Sequence, residues 1–293
     1  MVLDMMKNNF KIGLLFFLFI SQLYSQNDLE LLLEPMSQNE IVTNTFKSTR
    51  IINNHSIEIF PPNKLDLRIS HRFGRLNTGM YELFGLDQAK IRIGLEYGLI
   101  NNLMIGVGRS SYLKSYDGYL KYLLVSQSKG SNNTPCTIVA FSNIALNSLE
   151  KNYVDYPFTG RLSFCHQLLI ASKFSRKFSI QLMPTWVHWN MVENPDQKNR
   201  IFAIGGGCRY LITRSVSINS EYFMRIMHSS YDNEMYNNSF SIGVDIETGG
   251  HVFQLHLTNS MSMNESGFIT RTTSNWLDGG VHFGFNISRE FIL

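Results

Sequence analysis

Charge is scarce in this 293-residue chain: Asp, Glu, Lys and Arg together make up 17% of it, against about a quarter in an average domain. A chain so poor in charge, with 21 Phe and 13 Tyr, buries enough apolar surface to offset its ordering entropy, which excludes intrinsic disorder. The formal charge of +3 is too small and too dispersed for a nucleic-acid binder. Long apolar runs are missing too. None beyond residue 20 approaches the roughly 20 apolar residues that a spanning helix needs, so a polytopic helical membrane protein is excluded. Cysteine is limited to Cys136, Cys165 and Cys208, an odd and small set for an exported chain stapled by disulfides. These three read as small buried apolar residues, or as one bridge plus a free thiol. The patterns C-x-x-C, C-x-x-C-H and H-E-x-x-H do not occur, so neither a metal nor a cofactor is expected.

The N-terminus carries an address. Lys7 and Lys11 precede the nine-residue apolar run Ile12–Ile20, and Leu23-Tyr-Ser25 then offers a small residue before Gln26. A basic stretch, a short apolar stretch and a small-residue site together read as a secretory signal peptide over 1–25. Nine apolar residues are too few for an anchor. Residues 26–55 read as a polar periplasmic lead-in, with an amphipathic patch at Leu29, Leu31, Leu32 and Leu33 before Pro35.

From about residue 56 to the end the sequence follows a period of two. In Lys64–Phe73, Leu65, Leu67 and Ile69 alternate with Asp66, Arg68, Ser70 and Arg72; in Lys90–Leu99, Ile91, Ile93 and Leu95 alternate with Arg92, Gly94 and Glu96. The segments Val216–Glu221, Phe240–Glu247 and Val281–Ile287 repeat the pattern. Such alternation marks strands with one apolar and one polar face. Twelve strands are predicted, near 56–73, 90–98, 103–110, 118–127, 136–147, 159–173, 178–191, 200–211, 216–227, 239–247, 252–261 and 275–289. Pro61-Pro62 interrupts the first of them, implying a bulge or a late start.

Long connections alternate with mostly short ones, as an up-and-down meander demands. Period two alone does not say which face is inside, since a soluble barrel carrying an apolar ligand shows it as well. Three features favour a transmembrane antiparallel β-barrel in the outer membrane with periplasmic termini. The loop asymmetry and even strand number match bacterial outer-membrane barrels, and aromatics such as Tyr116, Trp186 and Tyr236 cluster near strand ends. Export combined with low charge also fits a surface turned toward lipid.

Several strings resemble an uncharacterised family of bacterial outer-membrane-type β-barrel proteins, a domain of unknown function. They include Ile69-Ser-His-Arg-Phe-Gly74, Phe84-Gly-Leu-Asp87, Glu96-Tyr-Gly98, Gly108-Arg-Ser-Ser111, Gly249-Gly-His-Val-Phe-Gln-Leu255 and Gly284-Phe-Asn-Ile-Ser-Arg289. The resemblance spans roughly 45–290, implies a barrel of that type and supplies no activity.

With the apolar face toward lipid, the lumen receives Asp66, Arg68, Arg72, Arg92, Glu96, Lys121, Arg161, Glu221, Arg225, Asp245 and Glu247, six basic residues against five carboxylates. Desolvated charges need partners, so a salt-bridged, largely filled interior is favoured over a selective pore. The apolar loop 74–89, with Tyr81, Leu83, Phe84 and Asp87, is expected to fold into or cap the barrel mouth as a gate or docking element, because exposure would invite aggregation. His228 and Ser230, with Asn237 or Asn238 in support, form the one plausible nucleophile arrangement, a lipid-hydrolysing alternative to a non-enzymatic channel or structural and partner-binding barrel. Outer-membrane lipid is the implied partner, and the sequence singles out no protein partner.

Overall fold

The computed structural model describes residues 39–131, 133–149, 157–226 and 229–293. The expected signal peptide and the Leu29–Leu33 patch lie outside them. Contacts divide the described residues into two units: a large one, Ile41–Ser128 with Thr134–Leu293, and a small one that takes in Asn39, Glu40 and Lys129–Ser131. Within the small unit, Ser131 Oγ donates to Asn39 Oδ1 at 3.5 Å.

The large unit is a closed barrel of twelve antiparallel strands. They are β1 (Lys64–Arg75), β2 (Ala89–Ile100), β3 (Leu103–Ser110), β4 (Tyr116–Val125), β5 (Thr137–Leu146), β6 (Leu162–Lys173), β7 (Phe178–Trp189), β8 (Arg200–Leu211), β9 (Val216–Arg225), β10 (Ser239–Thr248), β11 (His251–Thr258) and β12 (His282–Ile292). Each pairs with its successor, and β12 returns to β1 with Ile287 opposite Ile69 and Ile292 opposite Lys64. β3 and β8 fall on the predicted boundaries. β1 starts late, at Lys64 instead of 56, because Pro61 and Pro62 have no N–H to give to a ladder. Two short helices, α1 (Ser230–Met235) and α2 (Glu265–Thr270), interrupt the long connections.

The connections alternate between the two ends of the barrel, and those of two to four residues all lie at one end. Segments 101–102, 174–177, 212–215 and 249–250 lie at one end, together with the start of β1 and the end of β12. Segments 76–88, 111–115, 190–199 and 259–281, with the described residues that flank β5, β6, β9 and β10 on that side, lie at the other. At the turn between β10 and β11 Gly249 and Gly250 take φ of 45° and 92°, the left-handed pair that a two-residue hairpin needs and that glycine adopts without strain.

The faces are inverted relative to a water-soluble barrel. Ile93, Leu95, Val107, Ile204 and Ile242 point outward and are exposed, while their neighbours Arg92, Glu96, Ala203 and Ser241 point inward and are buried. A soluble carrier would show the reverse. The inner wall is nevertheless not uniformly polar. Met104, Val139, Phe141, Leu169, Met183, Val187 and Phe223 also face inward and are buried. The three cysteines are free. Cys165 faces inward and is buried, whereas Cys208 is half-buried on the outer face, 3.2 Å from Ser220 Oγ.

Candidate functional site in the barrel lumen

Residues 43–60, the end of the expected lead-in and the start of the expected first strand, lie largely inside the barrel. Thr45, Ile51, Asn53, Asn54, His55 and Ser56 are all buried. The segment enters at the short-turn end, where Lys173 Nζ donates to the Thr43 carbonyl (2.8 Å) and Arg209 Nη1 to that of Thr45 (2.8 Å). It reverses at Ile51–Asn54, with Ile51 N donating to Asn54 O at 2.8 Å, Ser56 N to Thr49 O at 2.9 Å, and Arg50 bridged to His55. The result is an inner hairpin that returns to β1 at the end where it entered. The segment lacks period two because one wall surrounds it on all sides, so neither face is set apart.

The wall holds this hairpin mainly through its backbone. The Glu221 carboxylate accepts three consecutive N–H groups at the tip, from Ile52 (3.3 Å), Asn53 (2.9 Å) and Asn54 (3.1 Å). The tip carbonyls accept from amides: Ile51 from Gln254 (3.1 Å), Ile52 from Asn286 (3.0 Å) and His55 from Gln181 (2.8 Å). Arg68 Nη2 donates to Ser48 Oγ (2.7 Å) and Thr49 Oγ1 (2.9 Å), Arg72 to Asn53 Oδ1, and Lys121 to the Glu58 carbonyl. Thr49 Oγ1 donates to Glu96 Oε2 at 2.5 Å. Buried polar groups demand such partners, since each one left unmade costs about 1–3 kcal/mol.

The apolar part of the wall receives the apolar side chains of the hairpin. Ile51 and Ile52 join one buried cluster with Met183, Leu169 and Phe223. Gly207 on β8 makes room: a Cβ there would stand 2.5 Å from Ile51 Cδ1. Within the Gly205-Gly-Gly207 run, Gly207 thus forms a notch for a lumenal side chain.

The opposite end of the lumen is filled by the 259–281 connection. Asn264 caps α2, accepting the Gly267 N–H at 2.8 Å, and every residue of Glu265–Thr270 is buried. Phe268 meets the Phe223 ring edge-on at 5.5 Å, and Trp189 Nε1 donates to Thr270 Oγ1 at 3.1 Å. The two fillings meet at Glu265, whose Oε1 accepts from Arg50 Nη1 at 2.9 Å and lies 3.4 Å from His55 Nε2. Burial, and then Arg50, holds His55 well below the ordinary histidine value, so its contact with Glu265 is that of a neutral imidazole. Burial pushes Glu265 upward, opposed by Arg50.

The expected lumen residues divide. Asp66, Arg68, Arg72, Arg92, Glu96, Lys121, Glu221, Arg225 and Asp245 are all buried on the inner face. Arg161 and Glu247 are not fully lumenal. Arg161 ends a short helical turn before β6 and is half-buried, and Glu247, near the β10 turn, pairs with Lys47 with 43% of its side chain exposed. Arg68 approaches Glu96 and Asp66, each at 3.5 Å. Arg92 is held by both oxygens of Asp117, with Nε to Oδ1 at 2.9 Å. Asp117 was legible, since it shares the face of Lys121 four residues on. Arg50 and Glu265 were not, because neither sits in an alternating segment.

Loop 74–89 departs from expectation. Tyr81 is 97% exposed, and Leu83, Phe84 and Asp87 are exposed too. The loop closes on itself, with Phe84 N donating to Gly79 O at 2.8 Å, and the mouth it was expected to enter is occupied by α2. His228 lies outside the described residues. Ser230 is the exposed first residue of α1, while Asn237 donates to the Thr273 carbonyl (3.3 Å) and Asn238 to the Tyr222 hydroxyl (3.0 Å). Among the described residues no cluster of three His, Cys, Asp or Glu side chains is placed to hold a metal ion.

A family model described as a membrane bound beta barrel domain (DUF5777) matches residues 46–291. No curated protein sequence matches the chain. Among solved structures, an outer membrane channel from Pseudomonas putida F1 is similar at 12% identity and a TM-score of 0.47, over 80% of this chain and 98% of that one. The KdgM porin is similar at 11% identity and 0.47, over 78% and 99%. Omp33 of Acinetobacter baumannii is similar at 9% identity and 0.42, over 78% and 98%.

Proposed function

The chain belongs to the membrane bound beta barrel domain family (DUF5777), and on that premise we propose that it is a non-enzymatic outer-membrane channel that its own inner hairpin and α2 hold closed. The short-turn end, which carries both ends of the barrel domain, faces the periplasm, and the long connections face outward. The charged lumen serves the closure: Arg68, Arg72, Lys121 and Glu221 bind the backbone and side chains of the hairpin.

The observation that carries this reading is the path of residues 43–60. Both ends of the hairpin lie at the short-turn end, so it does not thread the barrel, and withdrawing it toward the periplasm breaks hydrogen bonds without passing any chain through another. Polar wall groups such as Glu221, Gln254 and Asn286 exchange backbone partners for water on withdrawal, which limits the cost of opening.

Planar-bilayer recording of the full chain and of a deletion of residues 43–58 tests the proposal. The expected result is rare, brief conductance for the full chain and stable steps for the deletion. Silence from a deletion variant that still shows the heat-modifiable migration of a folded barrel overturns it. A deletion that no longer folds points instead to a permanent structural filling, and Gly207→Leu, which crowds the tip alone, then decides between the two.

A further inference from the structure

We propose that the outer wall between β2 and β4 holds a net-anionic, phosphate-bearing acylated lipid, as distinct from a zwitterionic phospholipid, in the leaflet beside the long connections. A groove of about 380 Å³ opens there. Ile91, Ile93 and Leu95 of β2, Val107 and Arg109 of β3 and Tyr116 of β4 line it. Ile93 is 50% and Val107 59% exposed. The dent has a cause in the sequence: Val107 lies opposite Gly118 on β4, and a Cβ at Gly118 would meet nothing nearer than 4.0 Å. At Gly118 β4 carries no outward side chain, and an acyl chain fits alongside Val107.

The head of the groove supplies the charge. Arg109 faces outward one residue before the end of β3, at the long-connection end. Its Nε donates to the Tyr116 hydroxyl at 3.2 Å, and its guanidinium carbon lies 5.5 Å from the centre of that ring. Tyr116 thus fixes the guanidinium over the groove, and among the described residues no carboxylate pairs with it. A cation on the lipid-facing wall costs roughly 2–4 kcal/mol at the bilayer midplane but about 0–1 near the interface. At this depth the anions within reach are lipid phosphates, and guanidinium binds phosphate in bidentate fashion. A cationic head over an apolar groove complements an amphipathic anion, and the groove is continuous with the lipid-facing belt. The inference rests on the membrane orientation proposed above and is independent of gating, because it is read out in detergent without any conductance.

Native mass spectrometry of the full-length protein titrated with lipid A, and separately with phosphatidylethanolamine, tests it. The wild type is expected to retain one lipid A in preference to phosphatidylethanolamine. Arg109→Gln is expected to lower that occupancy about tenfold, the loss of one charge-assisted hydrogen bond. Val107→Trp, which fills the groove and leaves the charge, is expected to lower it as well, while Arg109→Lys retains part of it. Equal retention of lipid A by the wild type, Arg109→Gln and Val107→Trp, or equal retention of the two lipids by the wild type, overturns the proposal and leaves only annular contact. Heat-modifiable migration reports whether each variant is folded, and if Arg109→Gln fails to fold, Val107→Trp carries the test.

Discussion

Arg50 and Glu265, 215 residues apart in sequence, meet at 2.9 Å inside the barrel. Arg50 belongs to the hairpin that enters from the short-turn end and Glu265 to the helix that enters from the other. The pair is therefore the point at which two independent fillings become one. Removing Arg50 leaves Glu265 with the neutral His55, and removing Glu265 leaves Arg50 with only the longer Glu96 ion pair at 3.8 Å, a loss of up to about 3–5 kcal/mol. Glu265→Gln is expected to weaken amide protection across residues 50–56 in hydrogen exchange and to raise the frequency of open events. Replacing both, as Arg50→Met with Glu265→Leu, is expected to restore much of that protection, because no charge then stays buried and unpaired.

Glu221 is the anchor of the hairpin tip. Glu221→Ala orphans the N–H groups of Ile52, Asn53 and Asn54, at about 1–3 kcal/mol for each one that finds no substitute. Faster exchange is expected at those three amides, while the β8–β9 ladder beside them stays protected.

Gly207→Leu inserts a side chain where Ile51 Cδ1 now rests. Ile51 must leave the notch, so exchange at the tip is expected to rise. Gly206→Leu, one residue away on the outer face with no atom within 4 Å of its Cβ, is expected to change nothing.

His55 gives the closed state a pH dependence. Buried, it is held neutral; withdrawn, it takes up a proton below about 6.5. The withdrawn form then binds more protons than the inserted one, so each pH unit below that value favours withdrawal about tenfold. Glu265 and Glu58, both raised by burial, act in the opposite direction, because the inserted form keeps their protons as the pH falls. The contribution of His55 is therefore read as a difference. Open probability is expected to rise more steeply between pH 6.5 and 5.5 in the wild type than in His55→Gln, and equal slopes would contradict this account.

Cys165 and Cys208 face opposite sides of the wall, and all three thiols are free. Denaturation without reductant is expected to expose three alkylatable cysteines, counted by intact mass.

Much of the barrel was legible because a wall with two different faces writes itself into sequence. Ile93 and Leu95 against Arg92 and Glu96 is such a record, and nine of the eleven expected lumen residues point inward for that reason. Arg161 escaped because its helical turn lies just outside the period. The filling was illegible because its contacts run through carbonyls and N–H groups, which every residue possesses. Nothing in Ile51-Ile-Asn-Asn54 announces that Glu221, Gln254 and Asn286 will bind its backbone. The inward apolar residues Val139, Phe141, Leu169 and Met183 were the nearest thing to a signal. They blur the alternation of β5 to β7, and an apolar patch on a lumen wall requires something apolar to cover it.

The ladder between β1 and β12 also bears on how the molecule is made. Lys64 faces Ile292 across it, so the first and last strands are neighbours and the wall has two open edges until the whole chain has been delivered. Unpaired edges invite pairing with other chains. The hairpin precedes every strand in the chain, while Glu221, Gln254 and Asn286, which fasten its tip, belong to β9, β11 and β12. The tip is therefore fastened only by a wall whose last strands are in place, so closing the ladder and seating the insert depend on the same C-terminal third of the chain.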